Sequence, residues 1–155
     1  MTTLPLIGDI AALANGVRRG QLKRMSSDFA HYGCMSVTIW LTSGEGFRLT
    51  SSMQNLTDGI EVGILKLELL LHPSPDEASV DLPWSFRNGG SISKLVIEQR
   101  GIRAESGLLL RSRDGEEIII LPATSPQRLY VEGVDSPARQ AMPEYSLSRY
   151  IHEAI

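Results

Sequence analysis

Hydrophobic and polar positions alternate through most of this chain, and its first segment is the clearest exception. Leu6, Ile10, Leu13 and Ala14 recur at helical spacing between Leu4 and Asn15. Asp9 suits a helix N-terminus and Gly16 a helix end, so the pattern predicts a short N-terminal helix. Gln21 to Tyr32 reads both ways. Leu22, Met25, Phe29 and Tyr32 fit a helix face, while Leu22 and the residues at 24–26 equally begin a strand.

From Cys34 the period becomes two. Met35, Val37, Ile39 and Leu41 alternate with Ser36, Thr38, Trp40 and Thr42, which predicts a strand rich in β-branched residues. A tight turn over Ser43 to Gly46 leads to a returning strand through Phe47, Leu49 and Ser51, and the two make a hairpin. Ile60 to Leu71 is a longer apolar strand, with Glu61, Lys66 and Glu68 marking one wet face. His72-Pro73-Ser74-Pro75-Asp76-Glu77 breaks the pattern, and Asn88-Gly89-Gly90 breaks it again.

Strands then resume at Ile92 to Gln99, with Leu95 and Ile97 on one side, and at Gly107 to Ser112. Asp114-Gly115 between apolar runs predicts a hairpin with a type I′ turn, both of whose central residues take positive φ. Glu117 to Leu121 is almost wholly apolar, which predicts a central strand covered on both faces. Gln127 to Val134 reads as one more strand. Pro143 to Ile155 reads as a short helix or an extended segment across the sheet. The expected fold is mainly β (α+β): antiparallel β-meanders behind a short N-terminal helix, in a single domain over 1–155.

Two stretches, 16–72 and 86–134, look alike. Leu41-Thr42-Ser43-Gly44-Glu45-Gly46 lies over Leu110-Arg111-Ser112-Arg113-Asp114-Gly115, and Gly20-Gln21-Leu22 over Gly90-Ser91-Ile92. Any two hairpins share such features, so the repeat and its absence both stay open. A repeat predicts two meanders in one sheet or face to face, burying Val37, Ile39, Leu49, Leu65, Leu109, Ile118 and Ile120.

Charge narrows the function classes. The net charge is −3, with 6 basic and 8 acidic residues in 1–78 and 9 and 10 in 79–155. Neither half has the basic excess of a nucleic-acid binder. Arg18, Arg19, Lys23 and Arg24 form a local basic cluster that reads as a solvated face. The single cysteine, Cys34, reads as a small core residue of a chain suited to a reducing cytoplasm. No apolar run reaches membrane-spanning length, so no membrane association is expected.

Candidate chemistry is thin. His31, His72 and His152 are far apart and lack partners at metal-ligand spacing, so no metal or other cofactor is expected. Ser91-Ile92-Ser93-Lys94 matches the S-x-x-K nucleophile motif, but it opens a predicted strand and lacks that motif's companion elements. No catalytic residue is assigned. Asp114, Glu116 and Glu117 crowd one hairpin tip and, with Asp76 and Glu77, are the acids open to a partner. Trp40 has two readings: an exposed anchor for a partner, or a core residue of a strand covered on both faces.

One resemblance adds to this. The Gly-Leu-Leu-Leu strand from Gly107, Asp114-Gly115 with its Ile-rich return, a Ser-Pro step, then Pro143-Glu144-Tyr145-Ser146-Leu147 and Tyr150 resemble a set of small bacterial proteins. Some of those look like immunity proteins of polymorphic or contact-dependent toxin systems. The resemblance covers about half of the chain and rests on structural motifs. It implies a cytoplasmic protein that binds and neutralises a toxin domain, and it carries over no functional residue; surface charge alone makes Asp114, Glu116, Glu117, Asp76 and Glu77 the candidate contacts, with Trp40 as the candidate anchor. The alternatives are a small-ligand-binding or structural β module, and an enzyme whose site is assembled from dispersed residues such as Ser91, Lys94, His31 and Cys34.

Overall fold

The computed structural model describes residues 1–27, 34–56, 59, 61–71, 78–81, 84–125, 127–133 and 141–155. The protein is mainly β, with antiparallel sheets and one short helix near its N-terminus. The first half contains β1 (Thr2–Leu4), α1 (Ile10–Arg18), β2 (Leu22–Ser27), β3 (Ser36–Leu41), β4 (Gly46–Asn55), β5 (Glu61–Leu70) and β6 (Ala78–Asp81). A 3-10 turn over Trp84–Asn88 then leads to β7 (Gly90–Gln99), β8 (Ile102–Ser112), β9 (Glu117–Pro122) and β10 (Leu129–Glu132). A second 3-10 turn, Leu147–Arg149, precedes β11 (Ile151–Ala154). No helix among the described residues is long and apolar enough to cross a membrane.

The strands form two sheets. One runs β5-β4-β3-β2-β6, the other β10-β9-β8-β7-β11 with β1 lying parallel beside β8. Each of the two look-alike stretches supplies one meander, β2 to β5 and β7 to β10. The main core joins both sheets. Val37, Ile39, Leu49, Phe47 and Leu65 from one meet Leu108, Leu110, Ile118, Ile120 and Val131 from the other. A second cluster, with Leu95, Ile97, Leu109, Leu121 and Tyr150, lies on the opposite face of the β7-β8-β9 sheet. Ile118 and Ile120 belong to the first cluster and Leu121 to the second, so β9 is covered on both faces as its composition predicts. Leu109 is buried as expected, but in the second cluster. β5 also serves both, Leu65 facing the first and Val62 and Ile64 the second.

The helix sits differently from its sequence pattern. It starts at Ile10 with Asp9 as N-cap, whose carboxylate accepts from the Ala11 amide at 3.0 Å. Gly16 lies inside it, because the Leu41 side chain fills the space a Cβ would need. The helix ends beyond Arg18, where the Gly20 amide donates to Val17 O (3.2 Å) and the Gln21 amide to Gly16 O (2.9 Å). That pair of bonds is the Schellman motif, with Gly20 left-handed at φ 68°. Leu13 and Val17 are fully buried, each contributing about 1.5–3 kcal/mol of hydrophobic stabilisation. Thr2, Thr3 and Leu4 form β1, and Leu4 is not part of the helix, because they find partners in Ile102, Arg103 and Ala104.

The turns also differ from expectation. At the β8–β9 tip Ser112 N donates to Glu116 O (2.8 Å) and Gly115 N to Ser112 O (3.1 Å). Gly115 has φ 93°, while Asp114 is not among the residues with positive φ. This is a three-residue loop with a left-handed glycine and not the type I′ turn predicted there. The β3–β4 turn repeats it, with Leu41 N to Glu45 O (2.8 Å), Gly44 N to Leu41 O (3.0 Å) and Gly44 at φ 93°. Leu41 therefore corresponds to Ser112, two positions further along than the sequence alignment had it.

The outer edges of β5 and β10 are tied. Ile7 lies parallel to Lys66 on the outer edge of β5, accepting from Leu67 N at 2.6 Å and donating to Leu65 O at 2.9 Å. The remaining edge amide of Gly63 points at the Glu144 carboxylate, 3.1 and 3.2 Å from its two oxygens. Across the molecule, Leu129 N donates to Cys34 O at 2.8 Å, joining β10 to the residues that lead into β3. Cys34 is fully buried in the main core, as expected.

Candidate functional site

The acids singled out by sequence separate when placed on the fold. Arg113, Asp114, Gly115, Glu116 and Glu117 are all exposed at the β8–β9 tip. Glu117 is already engaged, because Arg111 donates to its Oε2 through Nε (3.1 Å) and Nη2 (2.6 Å). Asp114 and Glu116 have no ion pair among the described residues. The Glu116 amide donates to Ser112 Oγ at 3.0 Å, which fixes the tip from inside. Asp76 and Glu77 lie outside the described residues.

Trp40 is 3% exposed. Its indole N–H donates to Ser26 Oγ at 2.7 Å, and the Arg24 guanidinium lies 5.5 Å from its ring centroid. Thr38 on the same face is fully buried too, so this strand is covered on both faces. Trp40 is thus a core residue and does not share a surface with the hairpin acids. Arg24, stacked there, leaves the basic cluster of Arg18, Arg19 and Lys23, which are exposed.

Of the dispersed residues considered for catalysis, the described ones, Ser91, Lys94 and Cys34, do not meet. Lys94 donates to Glu105 Oε2 at 2.7 Å. Cys34 lies beyond β10, four strand spacings from β7 in the order of the sheet and so roughly 19 Å away. Ser91 is exposed opposite Arg111, and His31 and His72 lie outside the described residues. No group of His, Cys, Asp and Glu among the described residues is placed to hold a metal ion.

Two clusters that sequence reading missed are now visible. The first is ionic. Glu105 is 5% exposed, accepts from the Leu6 amide at 3.1 Å, and faces Lys94 at 2.7 Å and Arg103 Nη1 at 3.7 Å. Arg103 also binds Glu153 on β11 and lies 3.8 Å from Glu98. This network ties the N-terminal segment to β7, β8 and β11. A bulge in the β7–β8 ladder beside Leu95 and Val96 breaks the alternation around Glu105, so no periodic pattern pointed to it.

The second is the tyrosine-rich C-terminal strap. Thr124 N donates to Met142 O and Glu144 N to Pro122 O, which lays 142–144 along β9. Burial pushes the Glu144 carboxyl above the ordinary carboxylate range, partly offset by the Gly63 amide and the Tyr145 hydroxyl. Burial likewise raises the Tyr150 and Tyr145 hydroxyls. Tyr130 is pushed up to about 12, by burial first and then by Glu132, to which it donates at 2.6 Å. These hydroxyls stay protonated near neutrality, Tyr130 donating to Glu132, Tyr145 accepting from Gln99 and Tyr150 packing in the second cluster.

Glu144 gives a stability test with a defined sign. A raised carboxyl pKa means that the fold binds the proton more tightly than the unfolded chain. The stabilisation is complete below the ordinary carboxylate range and is lost as pH rises through the folded value. Glu144→Gln keeps an acceptor for Gly63 without a charge, so it is expected to match the parent in acid, to flatten the fall in stability above pH ~4, and to be the more stable of the two at neutral pH. Glu144→Ala leaves the buried Gly63 amide without its acceptor and is expected to cost about 1–3 kcal/mol. Urea unfolding across pH measures both.

No family model, curated protein or solved structure matches the chain.

Proposed function

We propose that this chain works by binding, as a cytoplasmic immunity protein that occludes a cognate bacterial toxin domain with its β8–β9 hairpin end. The observation that carries this reading is the hairpin tip. Its residues from Arg113 to Glu117 are all exposed, yet the backbone is pinned by bonds from Ser112 N, Gly115 N and Glu116 N. A surface ordered before contact loses little entropy on binding. It presents Asp114 and Glu116 with no ion pair among the described residues, on a chain of net charge −3. Such acids steer encounter with a basic nuclease-type surface and mask it once bound. Glu117 contributes less, since Arg111 already holds it.

The test is retention of a partner by the tagged protein from lysate of its native host, identified by mass spectrometry and then expressed with and without this chain. The reading expects a toxic domain in equal amount, and restored growth on co-expression. Asp114→Lys with Glu116→Lys is expected to weaken that complex at least tenfold, about 1.4 kcal/mol, mainly through slower association. Unchanged affinity removes the hairpin from the interface. A clean eluate, or a partner without toxicity, overturns the immunity reading itself.

A further inference from the structure

The β7–β8 turn, at the other end of β8, contains a residue whose side chain has no polar partner among the described residues. Gln99 pairs with Ile102, so Arg100 and Gly101 make the whole turn. Both are left-handed, with φ 48° and 76°. Turns of this shape take Asn, Asp or Gly first, because a side chain's Cβ is crowded against the following carbonyl there. Arg100 accepts that crowding, is exposed, and makes no hydrogen bond or ion pair among the described residues. Strained residues of this kind cluster at ligand clamps and other functional sites.

The surroundings of Arg100 are ordered in advance. Gln99 Nε2 donates to the Tyr145 hydroxyl at 2.6 Å, and Arg149 donates to Gln99 Oε1 at 3.4 Å. The Arg149 guanidinium lies 4.9 Å from the Tyr145 ring centroid, and Tyr150 meets that ring edge-on at 6.3 Å. Thr2 N donates to Gly101 O at 2.8 Å, which brings Met1, 79% exposed, to the same corner. Arg, Tyr and Met are the side chains enriched at protein contacts. Arg103 nearby is neutralised by Glu105 and Glu153, whereas Arg100 and Arg149 have no carboxylate partner among the described residues.

We infer that this corner is a docking site for a carboxylate-bearing segment of a protein partner, with Arg100 and Arg149 each pairing with an acid and Tyr145 forming the floor. A nucleic acid fits less well, because two cations neutralise few phosphates and the chain as a whole carries −3. The site is independent of the hairpin reading. The 11 residues of β8 separate the two tips by roughly 35 Å.

The experiment uses the full chain against an array of short acidic peptides, each paired with its Gln/Asn version, followed by fluorescence anisotropy of the best binder at low salt. Preference for the acidic versions is expected. Arg100→Gly suits the turn, so its melting temperature is expected to rise by about 2–4 °C while affinity falls about tenfold. Arg149→Ala is expected to weaken binding similarly, and Arg111→Ala, on the far tip, to leave it unchanged. The inference is overturned if no acidic peptide beats its neutral pair, or if a single-stranded oligonucleotide binds more tightly. It is also overturned if Arg100→Gly binds as well as the parent, or if that variant is less stable, which would assign Arg100 to the fold.

Discussion

Glu105→Ala is expected to destabilise the protein by about 3–5 kcal/mol in urea unfolding, among the largest losses available to a single polar residue here. The substitution leaves Lys94 and Arg103, whose side chains are 23% and 21% exposed, facing each other's charge without the carboxylate between them. It also strips the Leu6 amide of its acceptor. Glu105→Gln separates the two effects, since it keeps an acceptor for Leu6 and removes only the charge. Its cost is expected to lie clearly below that of the alanine variant. Added salt is expected to change either loss little, because a carboxylate this buried is poorly screened. Equal losses in the two variants would show that the Leu6 hydrogen bond contributes nothing.

Phe47→Ala is expected to cost a similar amount, about 3–5 kcal/mol, for a different reason. Phe47 is 2% exposed and sits opposite Ile39, in the cluster that joins the two sheets. Removing its ring opens a cavity between the layers, where neither meander can collapse without breaking its own ladder. Against a total of about 5–15 kcal/mol for a typical domain, that leaves a marginal fold. Leu71→Ala is the control. Leu71 is 65% exposed, and its loss is expected to fall within about 0.5 kcal/mol of zero.

The contrast between Phe47 and Glu105 also marks what the sequence made legible. Phe47, Val37 and Ile39 announce themselves by alternation, which reports burial on one face of a strand through local spacing alone. The helix was visible in its apolar spacing, though its end was not, because Gly16 is fitted to a distant Leu41 side chain. β1 and β6 carry no apolar run, and their pairing with β8 and β2 makes them strands. The turn at Arg100 was invisible because its first residue is the wrong type for the conformation it adopts. At the candidate sites, sequence found the exposed Asp114 and Glu116 tip. It did not find that Arg111 neutralises Glu117, or that Gln99, Tyr145 and Arg149 converge from segments about fifty residues apart.

The partnership of β1 with β8 has a consequence for how the chain is made. Thr2 and its neighbours pair with Ile102 to Ala104, so this strand leaves the ribosome about a hundred residues before its partner does. At 5–20 residues per second that wait is about 5–20 s. During it the β2 to β5 meander can form from neighbouring strands, but the β5 edge stays open, since Glu144 is translated later still and Ile7 has nothing holding the segment before it. The nascent half-protein therefore displays an unpaired strand edge beside apolar Leu65 and Leu67 for seconds in each round of synthesis. In that interval it is a substrate for chaperones, and slowing translation after codon 71 is expected to lengthen its exposure.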